Sequence, residues 1–166
     1  MPEQILTTTS ALSLEHRLVT LFRERKLTLS LAESCTGGLI SARITNIPGA
    51  SEIFKGCVVF YANDVKHDLL GVPQQILDTE GAVSASCAQA MAAGAREALK
   101  SDIAVSVTGI AGPSGGTPTK PVGLVFIGIA TGNIVSAEER FCSGDRECIR
   151  KQAADAALTA ALRAAQ

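Results

Sequence analysis

The sequence predicts an α/β fold, a single three-layer domain in which a mixed sheet is flanked by helices. Three observations favour this class. At 166 residues, 46% of them hydrophobic, the chain is long enough for one domain with a sizeable core. Short apolar runs typical of buried strands alternate with segments of helical spacing, which predicts parallel strands joined by crossover helices. Two late apolar runs flank a short turn, which predicts an antiparallel hairpin.

The first half of the chain alternates helices and strands. Apolar residues at helical spacing indicate the first helix, which Ser13 can cap, and Asn46 and Pro48 stop the second helix. Alternation of apolar and polar residues indicates the first strand, and a β-branched and aromatic run indicates the second. The predicted elements are helix 14–26, strand 27–32, helix 36–45, strand 56–61 and helix 64–70.

The second half predicts a long helix, three strands and a final helix. Ser84 caps an alanine-rich helix, and four glycines and three prolines make 108–121 a loop. Thr131-Gly132-Asn133 is a hairpin signal between the last two strands. The predicted elements are helix 84–100, strand 103–107, strands 122–130 and 134–141, and a helix from about Asp145.

Composition and charge exclude several classes of function. A net charge of −1 and an aromatic content of 4% argue against a nucleic-acid partner, which needs a basic face and stacking side chains. The longest apolar run, 122–130, is too short for a bilayer, which takes about 20 residues. The start of the chain has no apolar signal segment. We therefore expect a cytoplasmic protein with no membrane partner.

Cysteine and histidine usage predicts no metal site. The five cysteines are an odd number without CxxC spacing, and most fall in apolar or helical patterns, where thiols behave as small buried hydrophobes. This usage is typical of a reducing compartment. Neither His16 nor His67 pairs with a cysteine or with the other histidine at metal-ligand spacing. We expect no metal and no other cofactor.

The first candidate site is the run Ser34-Cys35-Thr36-Gly37-Gly38, between a predicted strand and a predicted helix. Ser34 or Thr36 as an N-cap, with glycines that permit tight packing, would explain part of the run. Alternatively, unpaired N–H groups at the helix N-terminus would bind a phosphate or an oxyanion, and Ser34 would be a nucleophile if a base reaches it. Local sequence leaves both interpretations open, although the absence of a lysine after Gly38 excludes a Walker A loop.

The second candidate is the segment from Tyr61 to His67, at the end of a predicted strand. Lys66 is by default a solvated surface charge. In a low-dielectric pocket its pKa would instead fall, and it would serve as a general base. His67 is the alternative base, although a lone histidine beside a lysine and an aspartate is more often a surface residue. Spacing does not decide between them.

The third candidate is the glycine- and proline-rich loop 107–123. Such a loop can expose consecutive N–H groups that bind an anion. Loops longer than about 12 residues in compact domains are more often functional than idle. We therefore favour ligand binding by this loop, and the residues expected to contact the ligand are Thr108, Gly109, Ala111 and Gly112.

Arg146 and Arg150 lie four residues apart, near the start of the last predicted helix. An exposed helix face is the default interpretation of that spacing. A cation at a helix N-terminus opposes the helix dipole, however, so another interaction should account for Arg146. A substrate phosphate or a pairing across a subunit contact would do so.

Taken in order, several motifs resemble the CinA C-terminal domain family. They are AESCTGG, IPGAS, F-K-G-x-V-V-x-Y-x-N-x-x-K, LGV, GAVS, VTGIAGPSGG, KPVG and F-x-S-G-D-R. The resemblance covers nearly the whole chain, from about Leu14 onwards, and the ordered set is far more specific than one glycine motif. It implies one compact α/β domain over residues 1–166, a homodimer or larger homo-oligomer, and a stand-alone form without the N-terminal domain of larger members.

The resemblance also implies an activity. Family members of the PncC type hydrolyse nicotinamide mononucleotide (NMN) to nicotinate mononucleotide and ammonia in pyridine-nucleotide recycling, with a serine and a lysine and without a metal. The matching residues here are Ser34 as nucleophile and Lys66 as proton acceptor. Tyr61 occupies the family's tyrosine position, where it would orient Lys66 or relay the proton.

For this mechanism we expect two binding regions. The amides of residues 35–38 would hold the tetrahedral oxyanion, while loop 108–116 and Arg146 would hold the phosphate and ribose. Two alternatives stay open: a non-catalytic nucleotide-binding or regulatory module, and a Cys35 nucleophile in place of Ser34. A DNA-uptake or repair accessory is suggested only by the family's competence-related name, and the net negative charge speaks against it.

Overall fold

Five strands form one mixed sheet in the computed structural model, which describes residues 12–166. The strands are β1 (Leu29–Glu33), β2 (Phe54–Val59), β3 (Ile103–Gly109), β4 (Leu124–Ala130) and β5 (Val135–Phe141). Their spatial order is β2-β1-β3-β4-β5, with β1 parallel to both of its neighbours and β4 antiparallel to both of its own. The predicted mixed sheet, parallel in its early strands and ending in a hairpin, is confirmed.

Helices cover both faces of this sheet. They are α1 (Leu14–Arg25), α2 (Leu39–Thr45), α3 (Asn63–Leu70), α4 (Gln74–Thr79), α5 (Ala85–Leu99) and α6 (Arg146–Ala164). Helices α1, α2 and α6 contact one another on one face, whereas α5 crosses the other face and carries α3 and α4. The predicted three-layer α/β class is therefore confirmed. None of the helices formed by residues 12–166 is long and apolar enough to cross a membrane.

The predicted caps are present, but some predicted boundaries are wrong. Ser13 and Ser84 accept hydrogen bonds from the amides of His16 and Cys87, as expected for N-caps. Helix α4 was not predicted, because none of its six residues is buried and it therefore leaves no apolar stripe in the sequence. Strand β2 both starts and ends two residues earlier than the predicted strand 56–61.

Helix α2 begins at Leu39 rather than at the predicted Thr36. Gly37 and Gly38 have φ angles of +59° and +98°, which a right-handed helix does not contain. The polypeptide therefore makes a separate turn after β1 before the helix starts. That turn carries the first candidate site.

The two faces of the sheet have different side chains. Large aliphatic residues such as Leu31 and Val105 point towards α1, α2 and α6, whereas the α5 face carries small ones such as Ser106 and Gly128. Ser106 Oγ donates to the Ala88 carbonyl of α5 at 2.6 Å. A Cβ at position 128 would lie 2.1 Å from that same carbonyl oxygen. Helix α5 thus lies unusually close to the sheet, which requires small residues on both surfaces.

The parallel strands β1 and β3 end side by side. Glu33 pairs with Val107, and the Ser34 N–H donates to the Val107 carbonyl at 3.0 Å. The turn after β1 and the glycine-rich loop after β3 therefore leave the sheet together. Open α/β sheets bind their ligands at this edge.

Candidate active site

A cavity of about 280 Å³ opens at the carboxyl ends of β1 and β3. Four regions of the chain surround it: the turn after β1, the start of α3, the segment before α5 and the glycine-rich loop, with Arg146 from α6. Nine of the twelve predicted site residues line it, and they are Ser34, Cys35, Tyr61, Lys66, Thr108, Gly109, Ala111, Gly112 and Arg146. The other lining residues are Asn63, Ala82, Val83, Ile110, Ser114 and Gly115.

Ser34 sits on a tight turn at the base of the cavity. Its carbonyl accepts from the Gly37 N–H at 3.0 Å, and its side chain is nearly buried, at 8% exposure. The Ser34 hydroxyl forms no hydrogen bond with any group of residues 12–166. A hydroxyl that faces a cavity without a protein partner is available to a bound molecule.

The buried side chain of Glu33 binds the N–H groups at the N-terminus of α2. Its fully buried carboxylate accepts from the N–H groups of Gly38 at 3.0 Å and Ile40 at 3.1 Å. It also accepts from the N–H and the hydroxyl of Ser41, both at 2.8 Å. The carboxylate thus satisfies the donors and the positive dipole end that would otherwise attract a ligand anion.

The three remaining predicted binding residues lie outside the cavity lining. The Gly38 amide is bound by Glu33, and the Gly37 amide donates to the carbonyl of Ser34. The Thr36 side chain is fully buried, and its Oγ1 has no hydrogen-bond partner among residues 12–166. Within that part of the chain, the amides of Cys35 and Thr36 are also unpaired. The amides of residues 35–38 that remain available to an oxyanion are therefore those of Cys35 and Thr36.

Lys66, which also lines the cavity, is buried beside an aromatic ring. The side chain is 2% exposed, and Nζ lies 5.3 Å from the centre of the Phe60 ring. Its hydrogen bond to the Tyr61 carbonyl is long, at 3.4 Å. No carboxylate of residues 12–166 pairs with it, and burial lowers the pKa of the ammonium. These surroundings favour a neutral amine, as a general base requires.

His67, the alternative base, lies away from the cavity. Its Nδ1 is 2.8 Å from the Val72 carbonyl, within the segment that follows α3. The interaction is structural, since it ties the end of α3 to the next residues of the chain. Of the two candidate bases, Lys66 is the one that lines the cavity.

Burial also decides the chemical state of Cys35. Loss of hydration raises the pKa of its thiol to about 12. A thiol with such a pKa is protonated at neutral pH and is a poor nucleophile. This observation disfavours the alternative in which Cys35 replaces Ser34 as nucleophile.

Tyr61 and Arg146 both line the cavity and are joined by a hydrogen bond. Tyr61 is 65% exposed, and its phenol oxygen accepts from Arg146 Nη2 at 2.8 Å. Arg146 Nη1 donates to the Gly112 carbonyl, also at 2.8 Å. These two contacts account for a cation at the start of α6. The phenol, which was expected to orient Lys66, is bound to Arg146, and only the Tyr61 carbonyl contacts the lysine.

The glycine-rich loop is held in place by side chains. Thr108 Oγ1 donates to the Ala82 carbonyl at 2.7 Å, and Lys120 Nζ donates to the Val83 carbonyl at 2.7 Å. Both contacts fix the segment before α5, which forms one wall of the cavity. Position 109 must be glycine because a Cβ there would lie 2.7 Å from the Val125 side chain. Among residues 12–166, four loop amides near the cavity have no partner, at Ala111, Gly112, Ser114 and Gly115.

Three functional contacts were missed from the sequence. Glu33 had one available signal, an acidic residue at the end of an otherwise apolar strand. Arg150 was noted only as a helix neighbour of Arg146, yet it donates to the Cys35 carbonyl at 3.1 Å and the Thr36 carbonyl at 2.7 Å. Nothing in the sequence around Lys120, apart from its place in the glycine-rich loop, indicates that it contacts the segment before α5. The partners of both cations come from distant parts of the chain.

A larger cavity of about 460 Å³ lies near the start of β2 and lacks such chemistry. It is lined by Thr45, Ile47, Pro48, Gly49, Ala50, Ser51 and Phe54, none of which is ionisable. Within residues 12–166, no group of three or more His, Cys, Asp and Glu side chains is placed to hold a metal ion. The cavity at Ser34 is therefore the stronger candidate for an active site.

Comparison with known proteins identifies relatives over most of the chain. The model of the CinA C-terminal domain matches residues 11–165. A putative competence-damage inducible protein of Caldicellulosiruptor bescii is 56% identical over 146 residues, which are 87% of this chain and 35% of that protein. A CinA-like protein of Geobacter metallireducens is 58% identical over 130 residues, 78% of this chain and 32% of that protein. The chain thus spans about a third of the length of these curated relatives.

Two crystal structures are similar over nearly their whole length. The competence/damage inducible protein CihA from Agrobacterium tumefaciens has a TM-score of 0.89 and 42% identity, covering 92% of this chain and 94% of that one. A CinA superfamily protein from Klebsiella pneumoniae has a TM-score of 0.88 and 29% identity, covering 92% and 95%. The similarity therefore concerns the complete fold rather than one motif.

Proposed function

The chain belongs to the CinA C-terminal domain family, and we propose that it hydrolyses the carboxamide of NMN to nicotinate mononucleotide and ammonia. One observation supports this most. A serine hydroxyl and a buried lysine amine, neither paired with a charged group of residues 12–166, line the same cavity. Hydrolysis of an amide through an acyl-enzyme needs a nucleophile of this kind close to a base.

In the acylation step, Ser34 Oγ attacks the carboxamide carbon while the neutral amine of Lys66 accepts the hydroxyl proton. A C–O bond forms, and the carbonyl oxygen becomes an oxyanion. The Cys35 amide, next to the nucleophile and unpaired within residues 12–166, would stabilise this charge, and one such donor is worth about 3 kcal/mol. Lys66 then gives its proton to the amide nitrogen, the C–N bond breaks and ammonia leaves.

In the deacylation step, water replaces ammonia in the cavity. Lys66, neutral again, accepts a proton from this water as its oxygen attacks the acyl carbon. The second tetrahedral intermediate collapses when the C–O bond to Ser34 breaks and Lys66 returns the proton to Oγ. The products are nicotinate mononucleotide and the free enzyme, so one water is consumed for each ammonia released.

The glycine-rich loop and Arg146 are the groups best suited to the nucleotide part. The unpaired loop amides at Ala111 and Gly112 lie beside a guanidinium, and both kinds of group bind phosphate oxygens. Helix α2 cannot serve this purpose because Glu33 occupies its N-terminus. We therefore place the carboxamide at Ser34 and the phosphate towards Arg146.

An ammonia-release assay with NMN tests the proposal directly, with free nicotinamide and the dinucleotide as controls. We expect release from NMN by the wild-type protein, and its loss in Ser34→Ala with NMN binding retained. Unchanged turnover in Ser34→Ala would exclude this nucleophile. NMN binding without ammonia release by the wild type would instead support the alternative, a non-catalytic nucleotide-binding or regulatory module.

The state of Lys66 also predicts the pH dependence of the reaction. The base must be neutral, and burial lowers the pKa of Lys66 from the ordinary lysine value of 10.5. We expect kcat/KM for NMN to rise with pH through this lowered pKa and to level off before pH 10.5. Such an enzyme would work in the cytoplasm, on a small-molecule nucleotide and as a homo-oligomer, and light scattering in solution would measure its assembly.

A further inference from the structure

Arg150 makes an unusual contact with the turn that carries the nucleophile. The turn runs from Ser34 to Gly37 and is closed by the hydrogen bond between the Gly37 N–H and the Ser34 carbonyl. Its two central carbonyls, those of Cys35 and Thr36, both accept from the guanidinium of Arg150, at 3.1 Å from Nε and 2.7 Å from Nη2. One side chain of α6 therefore holds both central peptide units of the turn.

Arg150 contacts the turn from α6 without lining the cavity. Arg150 is half-buried and does not line the cavity, so a bound substrate would not touch it. The guanidinium also packs close to the turn, since a Cβ built at Gly37 would be in ordinary van der Waals contact with Nη2, at 3.6 Å. The next residue, Gly38, donates its N–H to Glu33. The backbone after Ser34 is thus bound by both a cation and an anion.

We propose that Arg150 is a positioning residue, which fixes the turn so that the Ser34 hydroxyl and the Cys35 amide keep their orientation towards the reacting carboxamide. The inference rests on the proposed function, because it assigns these two groups to nucleophile and oxyanion donor. Arginine suits the role because its planar fork donates two hydrogen bonds in a fixed geometry. A lysine has a single flexible nitrogen and would restrain the two carbonyls less well.

The same helix also restrains the facing wall. Arg146 lies one turn before Arg150 and donates to the Gly112 carbonyl and the Tyr61 phenol. Residues four apart lie on one face of a helix, so the first two turns of α6 contact the nucleophile turn and the glycine-rich loop together. Because Arg146 lines the cavity and Arg150 does not, substitution of Arg150 alone tests the positioning role without removing a group that contacts the cavity.

A positioning role predicts a loss of turnover rather than of binding. In Arg150→Met we expect kcat for NMN to fall about 100-fold, as small displacements of reacting groups do. KM should change by less than about threefold, because interactions made only in the transition state are lost. Arg150→Lys should lie between the two proteins. Lys151→Met is the matched control, since the exposed Lys151 pairs only with Glu147 within residues 12–166 and should keep wild-type kinetics.

A second readout does not depend on activity. Amide hydrogen exchange at Gly37 and Gly38, whose N–H groups bind the Ser34 carbonyl and Glu33, should become faster in Arg150→Met and stay unchanged in Lys151→Met when followed by NMR, because the turn loses its restraint. If the wild-type protein releases no ammonia from NMN, the proposed function fails while the exchange experiment still tests the restraint.

Two results would overturn the inference. One is a folded Arg150→Met protein with wild-type kcat. The other is exchange at the turn that does not respond to either Arg150 substitution. Should Arg150→Met fail to fold, as a melting curve would show, Arg150→Lys carries both measurements, and wild-type values in both would reject the role.

Discussion

Replacing Lys66 by methionine should make the protein more stable, by an amount that depends on pH. Lys66 is 2% exposed, and the compensating contacts of its ammonium are a 3.4 Å hydrogen bond and the Phe60 ring at 5.3 Å. Burying a cation costs several kcal/mol even after relaxation, whereas a cation–π contact returns about 1–2 kcal/mol. Desolvation therefore prevails and lowers the pKa of Lys66.

The sign of the pH dependence follows from proton binding. Between the lowered folded-state pKa of Lys66 and the ordinary value of 10.5, the unfolded chain binds a proton that the folded protein does not. Wild-type stability therefore rises with pH in that window, with a slope of up to about 1.4 kcal/mol per pH unit. Methionine has no such proton. The stability gain of Lys66→Met should be largest below the lowered pKa and decrease as pH approaches 10.5.

Urea unfolding of both proteins at several pH values between 6 and 10.5 measures this difference. For a chain of this size, each kcal/mol also shifts Tm by about 2–4 °C. Lys55→Met is the control, because Lys55 is exposed on β2 and should show no comparable trend. A Lys66→Met protein that is less stable than the wild type at neutral pH, or whose advantage does not change with pH, would refute the neutral-amine argument.

Three further substitutions test other parts of the structure by urea unfolding. Glu33→Gln replaces a carboxylate bound by several donors and should lower the free energy of unfolding by at least about 2 kcal/mol. An unchanged stability would contradict the role of Glu33 as the partner of the α2 N–H groups. Thr36→Val removes a buried hydroxyl that is unpaired within residues 12–166, so the substitution should leave the stability unchanged or raise it by about 1 kcal/mol, with normal turnover. Loss of NMN binding in this variant would instead indicate that Thr36 contacts the ligand. Gly128→Ala places a Cβ 2.1 Å from the Ala88 carbonyl and should cost about 1–3 kcal/mol or more, whereas wild-type stability would mean that α5 has room to move.

The overall fold was accessible from the sequence because strands and helices each leave a periodic pattern. The apolar run before Ser34 and the one before Thr108 each predicted a strand, and the structure pairs these two strands in parallel register. Helix α4 left no such pattern, since none of its residues is buried. The two residues of α4 that pack against the core, Ile76 and Leu77, are only partly buried and too few to form a periodic pattern.

The residues that line the cavity, and the contacts that support them, were only partly predictable from the sequence. Ser34 and Lys66 were singled out by chemistry and family resemblance, and both line it. The start of α2 was misplaced because Gly37 and Gly38 were assigned to the helix, although their positive φ angles form a turn. The contacts of Arg150 could not be predicted, because they join residues 115 and 114 positions apart in the chain. Spacing rules describe one element at a time, and this contact depends on how two elements pack.

Helix α6 follows the other elements of residues 12–166 along the chain, so it is synthesised after them. The order of synthesis therefore affects when the cavity acquires all of its contacts. A ribosome delivers β1, β3 and the glycine-rich loop well before it delivers Arg146 and Arg150. Until those two guanidinium groups dock, the carbonyls of Cys35, Thr36 and Gly112 lack the donors they have in the finished fold. A nascent chain that stops short of α6 would therefore carry Ser34 and Lys66, the proposed nucleophile and base, without these two guanidinium contacts, and we expect it to release no ammonia from NMN until α6 has docked.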